Sequence, residues 1–123
     1  AILSSGHDPQ SQDDKRQPFA EARAGMAGAE TLLALGLGLV RDGLLSLPQL
    51  LSLLTVNPAR RFGLVAGTLQ LAAPADIVVF DEAAPWRIDG RQFHGAGNTP
   101  FDGLPTAGRV RMTIKGGEVI WRV

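Results

Sequence analysis

The C-terminal segment Val110–Val123 constrains the fold more than any other stretch. Two apolar runs, Val110–Ile114 and Val119–Val123, flank Lys115-Gly116-Gly117-Glu118. Gly-Gly supplies the positive φ angles that a two-residue β-hairpin turn needs. That turn predicts the pairs Ile114 with Val119, Met112 with Trp121 and Val110 with Val123 on one face. All six are apolar, so this face is expected to be a core. The other face carries Thr113, Ile120, Arg111 and Arg122, with the two arginines opposite each other at some cost. Such a hairpin needs further strands or a cover.

Further strands are expected at Thr68–Leu71 and Ile77–Phe80, with Pro74-Ala75-Asp76 turning between them, and Trp86–Ile88 as an extension. Arg91–Leu104 reads as a loop. Asp76 and Asp81 flank an apolar strand and read as turn formers.

Before Gly63 the pattern is helical. Leu32, Leu33, Leu35, Leu37, Leu39 and Val40 make a run that is apolar on most faces, a helix buried nearly all round and ending near Gly43. Ser46 and Gln49 form a capping-box pair with Pro48 in the first turn. Leu47, Leu50, Leu51 and Leu54 give the stripe of that helix. Asn57-Pro58 opens a short helix that Gly63 stops. A short helix is also expected in Arg16–Arg23 after Pro18, and Ser4–Lys15 reads as a loop.

Ala1–Leu3 reads as an apolar strand with no partner in the sequence before it. A processed terminus and a fragment of a longer chain both account for this. One strand with helices is followed by an all-β tail, and neither half looks complete. The boundary falls near Gly63, giving units 1–62 and 63–123.

Composition narrows the function. The 123 residues are enough for one domain, and 45% hydrophobic with 20% charged residues is a globular balance. Net charge is zero, so nothing draws the chain electrostatically to nucleic acid or an anionic membrane. There is no cysteine, which excludes disulfides and thiolate metal sites and makes the cytoplasm the expected location. No apolar stretch is long enough to span a bilayer. His7 and Asp8 follow the first strand, where a β/α barrel places reacting groups. They could bind a metal or relay a proton, or stand in a polar loop by chance. His94 lies in a distant loop and is expected to be solvated. No HxH, HExxH, phosphate loop or GxSxG occurs. These residues alone do not make an enzyme.

The order of SSGHDPQ, KRQPF, GMAGAETLL, LTVNPARRFGL, GTLQLAAPADIVVFD, NTPFDG and GRVRMTIKGGEVIW resembles the C-terminal portion of dihydroorotases of the long bacterial type, in the amidohydrolase superfamily. The resemblance covers essentially the whole chain. It implies an α/β fold: the last strand and outer helices of a TIM-type barrel over residues 1–62, then strands of a small β-sandwich domain over 63–123. The rest of both would come from a missing N-terminal part of the same chain.

The resemblance also implies a cyclic-amide hydrolase that interconverts dihydroorotate and carbamoyl-aspartate in pyrimidine biosynthesis. Zinc in the parent protein would lower the pKa of a bound water. This fragment alone would bind no metal and be inactive. Laid against the family's T-D-H-A-P-H loop, Gly6 stands at the catalytic Asp and Gln10 at the final His, which helps hold the substrate carboxylate. No catalytic side chain is then intact, and His7 and Asp8 are the remaining candidates. Gln10, Ala24 and Gly25 match substrate-binding positions. The alternative implied by the departures is a non-catalytic dihydroorotase-like subunit. Its expected partners are further copies of itself or aspartate transcarbamoylase.

Overall fold

A computed structural model describes residues 1–123. Four helices come first: α1 (Gln12–Lys15), α2 (Leu32–Arg41), α3 (Leu47–Leu54) and α4 (Val56–Phe62). Three strands follow, β1 (Ile77–Arg87), β2 (Pro105–Lys115) and β3 (Glu118–Arg122), with a 3₁₀ turn at Gly90–Gln92. The strands form one antiparallel sheet in the order β1-β2-β3. This is an α/β chain with its helices and its sheet in separate stretches of sequence.

The capping box of α3 and the Gly63 stop of α4 act as read, whereas α4 begins at Val56, so that Asn57 lies inside it rather than opening it. Ser46 Oγ accepts from the Gln49 N–H, and Gln49 Oε1 accepts from the Ser46 N–H at 2.8 Å. Gly63 ends α4 in the left-handed conformation at φ 66°, which a residue without Cβ adopts freely. Helix α2 lies where expected, but only Ala34, Gly36 and Leu37 on it are buried. One face meets β2, where Leu37 Cδ1 lies against the backbone of Gly108. Trp86 Nε1 donates to the Gly108 carbonyl at 2.8 Å from β1. On another side Leu50 of α3, fully buried, sits against Gly36 of α2. Only 12 of the 123 residues are buried, so the core is a thin seam rather than a filled interior.

Four sequence expectations are corrected. Ala1–Leu3 forms no strand, because its backbone bonds to helices instead: Leu3 N–H donates to the Leu53 carbonyl at 3.1 Å, and Asn57 Nδ2 donates to the Ala1 carbonyl at 2.8 Å. Gln12–Lys15 is helical rather than loop. Ser11 caps it by accepting from the Asp14 N–H, and Asp13 and Asp14 sit in its first turn, where acids suit the helix dipole. The stretch after Pro18 makes only a turn, in which the Pro18 carbonyl accepts from Glu21 and Ala22. Thr68–Leu71 is not a strand, since Thr68 Oγ1 accepts from the Gln70 N–H at 3.2 Å and folds the backbone locally. Leu69 and Leu71 are left exposed.

The hairpin is confirmed at its turn and shifted beyond it. Lys115 pairs with Glu118 and Ile114 with Val119, but Trp121 then faces Thr113 and Arg122 faces Met112. Ile120 is an extra residue in β3, a β-bulge that moves the register by one. A second bulge puts Arg111 between the pairs Val79–Met112 and Phe80–Val110. Arg111 turns to Asp81, Nη2 to Oδ2 at 3.5 Å, so the expected opposition of two arginines does not occur. Val119 and Val123 are exposed, and the all-apolar core face is therefore not realised.

Candidate functional site

Three loops meet at one end of α2. The first, residues 5–10, carries the residues set against the family's catalytic loop. Ser4 and Ser5 fold its start, their hydroxyls accepting from the Gly6 and His7 N–H groups at 3.4 and 3.2 Å. Gly6 is left-handed at φ 59°, and a Cβ built on it would have no atom within 4 Å. The position therefore has room for a side chain, though none is there.

His7 and Met26 form a single parallel β-bridge, so the second loop, residues 24–29, runs alongside the first. His7 Nδ1 accepts from the Gly28 N–H at 3.0 Å and the Ala29 N–H at 3.1 Å. The proton of the neutral ring is then on Nε2. Asp8 N–H donates to the Met26 carbonyl at 2.9 Å, while Asp8 Oδ1 accepts from Gln10 Nε2 at 3.1 Å. Both side chains proposed as catalytic substitutes are thus engaged within the loops.

Gly25 lies close against the first loop. Its φ is 128°, a Cβ would overlap the Asp8 carbonyl oxygen, and Asp8 Oδ2 and Gln10 Nε2 would each lie 3.0 Å away. Only glycine fits that approach. Ala24 beside it is exposed. The third loop brings Asn98, whose Oδ1 accepts from the Gln10 N–H at 3.0 Å and whose Nδ2 donates to the Gly25 carbonyl at 3.1 Å. Gln10, Gly25 and Asn98 line an open cleft of about 700 Å³, together with Lys15, Arg91 and Asp102. His7 and Asp8 do not line it.

The charges around the cleft are mostly spoken for. Arg91 grips Asp89 in two bonds, Nε to Oδ1 and Nη2 to Oδ2, both 2.9 Å. That guanidinium, aided by the Arg91 N–H, holds the Asp89 carboxyl below its ordinary value. Lys15 Nζ donates to the Arg23 carbonyl at 2.7 Å, and Asp102 Oδ1 accepts from the Gly90 N–H at 2.9 Å. His94, read as solvated, is largely exposed but close to Glu30, with Nδ1 3.3 Å from Oε1.

Zinc, which the resemblance implies, finds no site in these residues by themselves. Gly6 offers no donor, His7 Nδ1 is taken by two N–H groups, and Asp8 is bound to Gln10. No three His, Asp or Glu side chains come together closely enough to hold a metal ion. The arrangement can hold and orient a polar ligand. It contains no paired acid and base aimed at one reacting atom.

The Amidohydrolase family matches residues 4–121. The chain belongs to that family. Among the relatives of this chain, the dihydroorotase of Anaeromyxobacter sp. (strain K) is 44% identical over 119 residues, covering 96% of the chain and 28% of the relative. The dihydroorotase of Syntrophus aciditrophicus is 40% identical over 121 residues, covering 98% and 28%. A dihydroorotase-like protein of Pseudomonas aeruginosa is 42% identical over 118 residues, covering 95% and 28%. The chain is dihydroorotase-like over nearly its whole length and spans 28% of the length of these relatives.

Solved structures agree on the fold. L-hydantoinase (dihydropyrimidinase) from Arthrobacter aurescens superposes at a TM-score of 0.78 with 34% identity, over 84% of this chain and 24% of that one. Dihydropyrimidinase from Brevibacillus agri reaches 0.86 with 26% identity, over 94% and 27%. No helix of the chain is long and apolar enough to cross a membrane.

Of the residues read from sequence, the structure brings Gln10 and Gly25 together and sets His7 and Asp8 beside them. Asn98, Lys15 and Arg91 were not named as site residues. Asn98 carried a signal, because it opens the NTPFDG motif. Lys15 and Arg91 carried none, since each looks like an ordinary surface cation.

Proposed function

We propose that this chain forms part of a longer cyclic-amide hydrolase of the dihydroorotase type, which interconverts dihydroorotate and carbamoyl-aspartate in pyrimidine biosynthesis. Residues 1–62 would close the end of the amidohydrolase barrel, and 63–123 would form part of the small β-domain. The observation that carries this reading is the cleft between Gln10, Gly25 and Asn98, which joins two positions matched to the family's substrate contacts. The 44% identity to a dihydroorotase supports the ring-opening substrate, and the hydantoinase and dihydropyrimidinase neighbours support cyclic amides more broadly. Separate stretches for helices and sheet support the two-part division.

The role of this chain in the reaction would be to seat the ligand. Gln10 and the backbone at Gly25 offer hydrogen bonds to a polar ring, and the cleft walls hold it in one orientation, which lowers the entropic part of a barrier. The reacting groups would come from elsewhere in the protein. Apolar side chains left exposed, among them Leu69, Val78 and Val79, are consistent with more chain packing here.

Gly6 favours a second reading. With no carboxylate at that position, the protein would be a non-catalytic dihydroorotase-like subunit that assembles with copies of itself or with aspartate transcarbamoylase. The deciding experiment is dihydroorotate ring opening by the full-length protein with zinc supplied. Turnover supports the enzyme, and a well-folded protein without turnover supports the subunit.

A further inference from the structure

The NTPFDG segment lines the cleft, and the side chain of its first residue bonds to both loops, beside the link that His7 makes between them. Asn98 is 88 residues from Gln10 and 73 from Gly25 in sequence, and it touches both. A backbone N–H only donates and a carbonyl only accepts, so these two partners fix which way the Asn98 carboxamide faces. Asp in its place would lose the donor, and Gln would place both groups one methylene further out.

The base under Asn98 is firm and independent of its side chain. The Asn98 carbonyl accepts from the Ala27 N–H at 2.8 Å. Further along, the Gly103 N–H donates to the Ile88 carbonyl at 2.7 Å and the Ile88 N–H to the Leu104 carbonyl at 3.0 Å, with Ile88 fully buried. The carboxamide therefore reaches from a fixed platform.

We propose that Asn98 is a positioning residue for ligand binding, setting the separation between the Gln10 backbone and the Gly25 carbonyl, two neighbouring residues that line the cleft. The proposal rests on the reading that Gln10 and Gly25 face the ligand. Asn98 lines the same cleft, and its positioning role is carried by the two hydrogen bonds it makes to those residues.

Amide hydrogen exchange on the full-length protein tests the geometry. In Asn98→Ala the Gln10 N–H should exchange roughly five- to tenfold faster, the loss of one hydrogen bond. The Ala27 N–H and the β2 amides should keep their rates. Asn98→Asp should leave Gln10 protected, since the acceptor remains, and it stands in if the alanine variant does not fold. In the full-length protein both variants should raise KM for dihydroorotate on the order of tenfold, with kcat changed less. Unchanged Gln10 exchange in Asn98→Ala, or faster exchange throughout β2, overturns the proposal. Where the wild type shows no turnover, the catalytic reading fails, and calorimetric binding of dihydroorotate replaces KM. Wild-type binding that both variants weaken sustains the proposal; no wild-type binding overturns it.

Discussion

His7 Nδ1 accepts a hydrogen bond from the backbone N–H of Gly28 at 3.0 Å, and with the Ala29 N–H it ties the first loop to the residues that lead into α2. The ring acts here as an acceptor placed one bond beyond Cγ. Asn has its Oδ1 at the same place, whereas Gln does not. His7→Ala should therefore destabilise the fold by about 1 kcal/mol, the net worth of a lost hydrogen bond in a partly exposed setting. His7→Asn should recover most of that and His7→Gln little. Urea unfolding midpoints of the three variants check it, and equal losses in all three would refute the acceptor role.

Gly25 sits where the second loop crosses the Asp8 carbonyl. A methyl there would overlap that oxygen, and φ of 128° is unfavourable for any residue with a Cβ. Gly25→Ala combines strain with a backbone clash, and should cost about 2–3 kcal/mol. The loss should be seen as faster exchange of the Asp8 N–H, which donates to Met26. A variant as stable as the wild type would mean that the two loops are not held in contact.

Asp76 anchors the hairpin turn from outside the sheet. Its Oδ2 receives Lys115 Nζ at 2.6 Å and its Oδ1 the Gly116 N–H at 2.9 Å. Lys115 and then the Gly116 N–H lower the Asp76 pKa in the folded chain. A carboxylate with a depressed folded pKa contributes stability above its unfolded value and loses it as pH falls through the folded one. The thermal midpoint should thus decline as pH drops through and below the ordinary carboxylate range. Asp76→Asn should flatten part of that decline, Asp89 accounting for another part through Arg91. Parallel pH profiles for variant and wild type would show that the anchor is inert.

These sites also mark how far the sequence could be read. Ser46 with Gln49, Gly63, and the Gly116-Gly117 turn are local: the residues that decide each structure are within a few positions of one another, and their chemistry suffices. The bulges at Arg111 and Ile120, like the register shift between Asp81 and Pro85, were illegible, because they answer to the mismatch between adjacent strands rather than to either strand alone. Ala1–Leu3 has a strand-like pattern, yet its partners are Leu53 and Asn57, some fifty residues away. Family resemblance marked Gln10 and Gly25 as candidates, but Asn98 meets them only through the folded path of the chain. His7 could be marked as a candidate, and its actual duty, accepting from Gly28 and Ala29, depends on a loop that no spacing rule connects to it.

Gly6 offers the most direct test of catalysis. The position is left-handed, a conformation that Asp tolerates better than most residues, and open space surrounds the Cβ. Gly6→Asp should therefore fold, at a cost of about 1 kcal/mol. In the full-length protein supplied with zinc, it restores the carboxylate that the family loop carries there. If that group is what the protein lacks, dihydroorotate ring opening should rise about 100-fold or more, the usual worth of a placed general acid or base. Gly6→Asn, of the same shape but unable to take up a proton, should stay at the wild-type rate. Equal rates in all three proteins would mean that a carboxylate at position 6 is not the missing part. A rise in Gly6→Asn as well would mean that any side chain re-shaping the 5–10 loop has the effect, and the acid–base role of position 6 would be refuted.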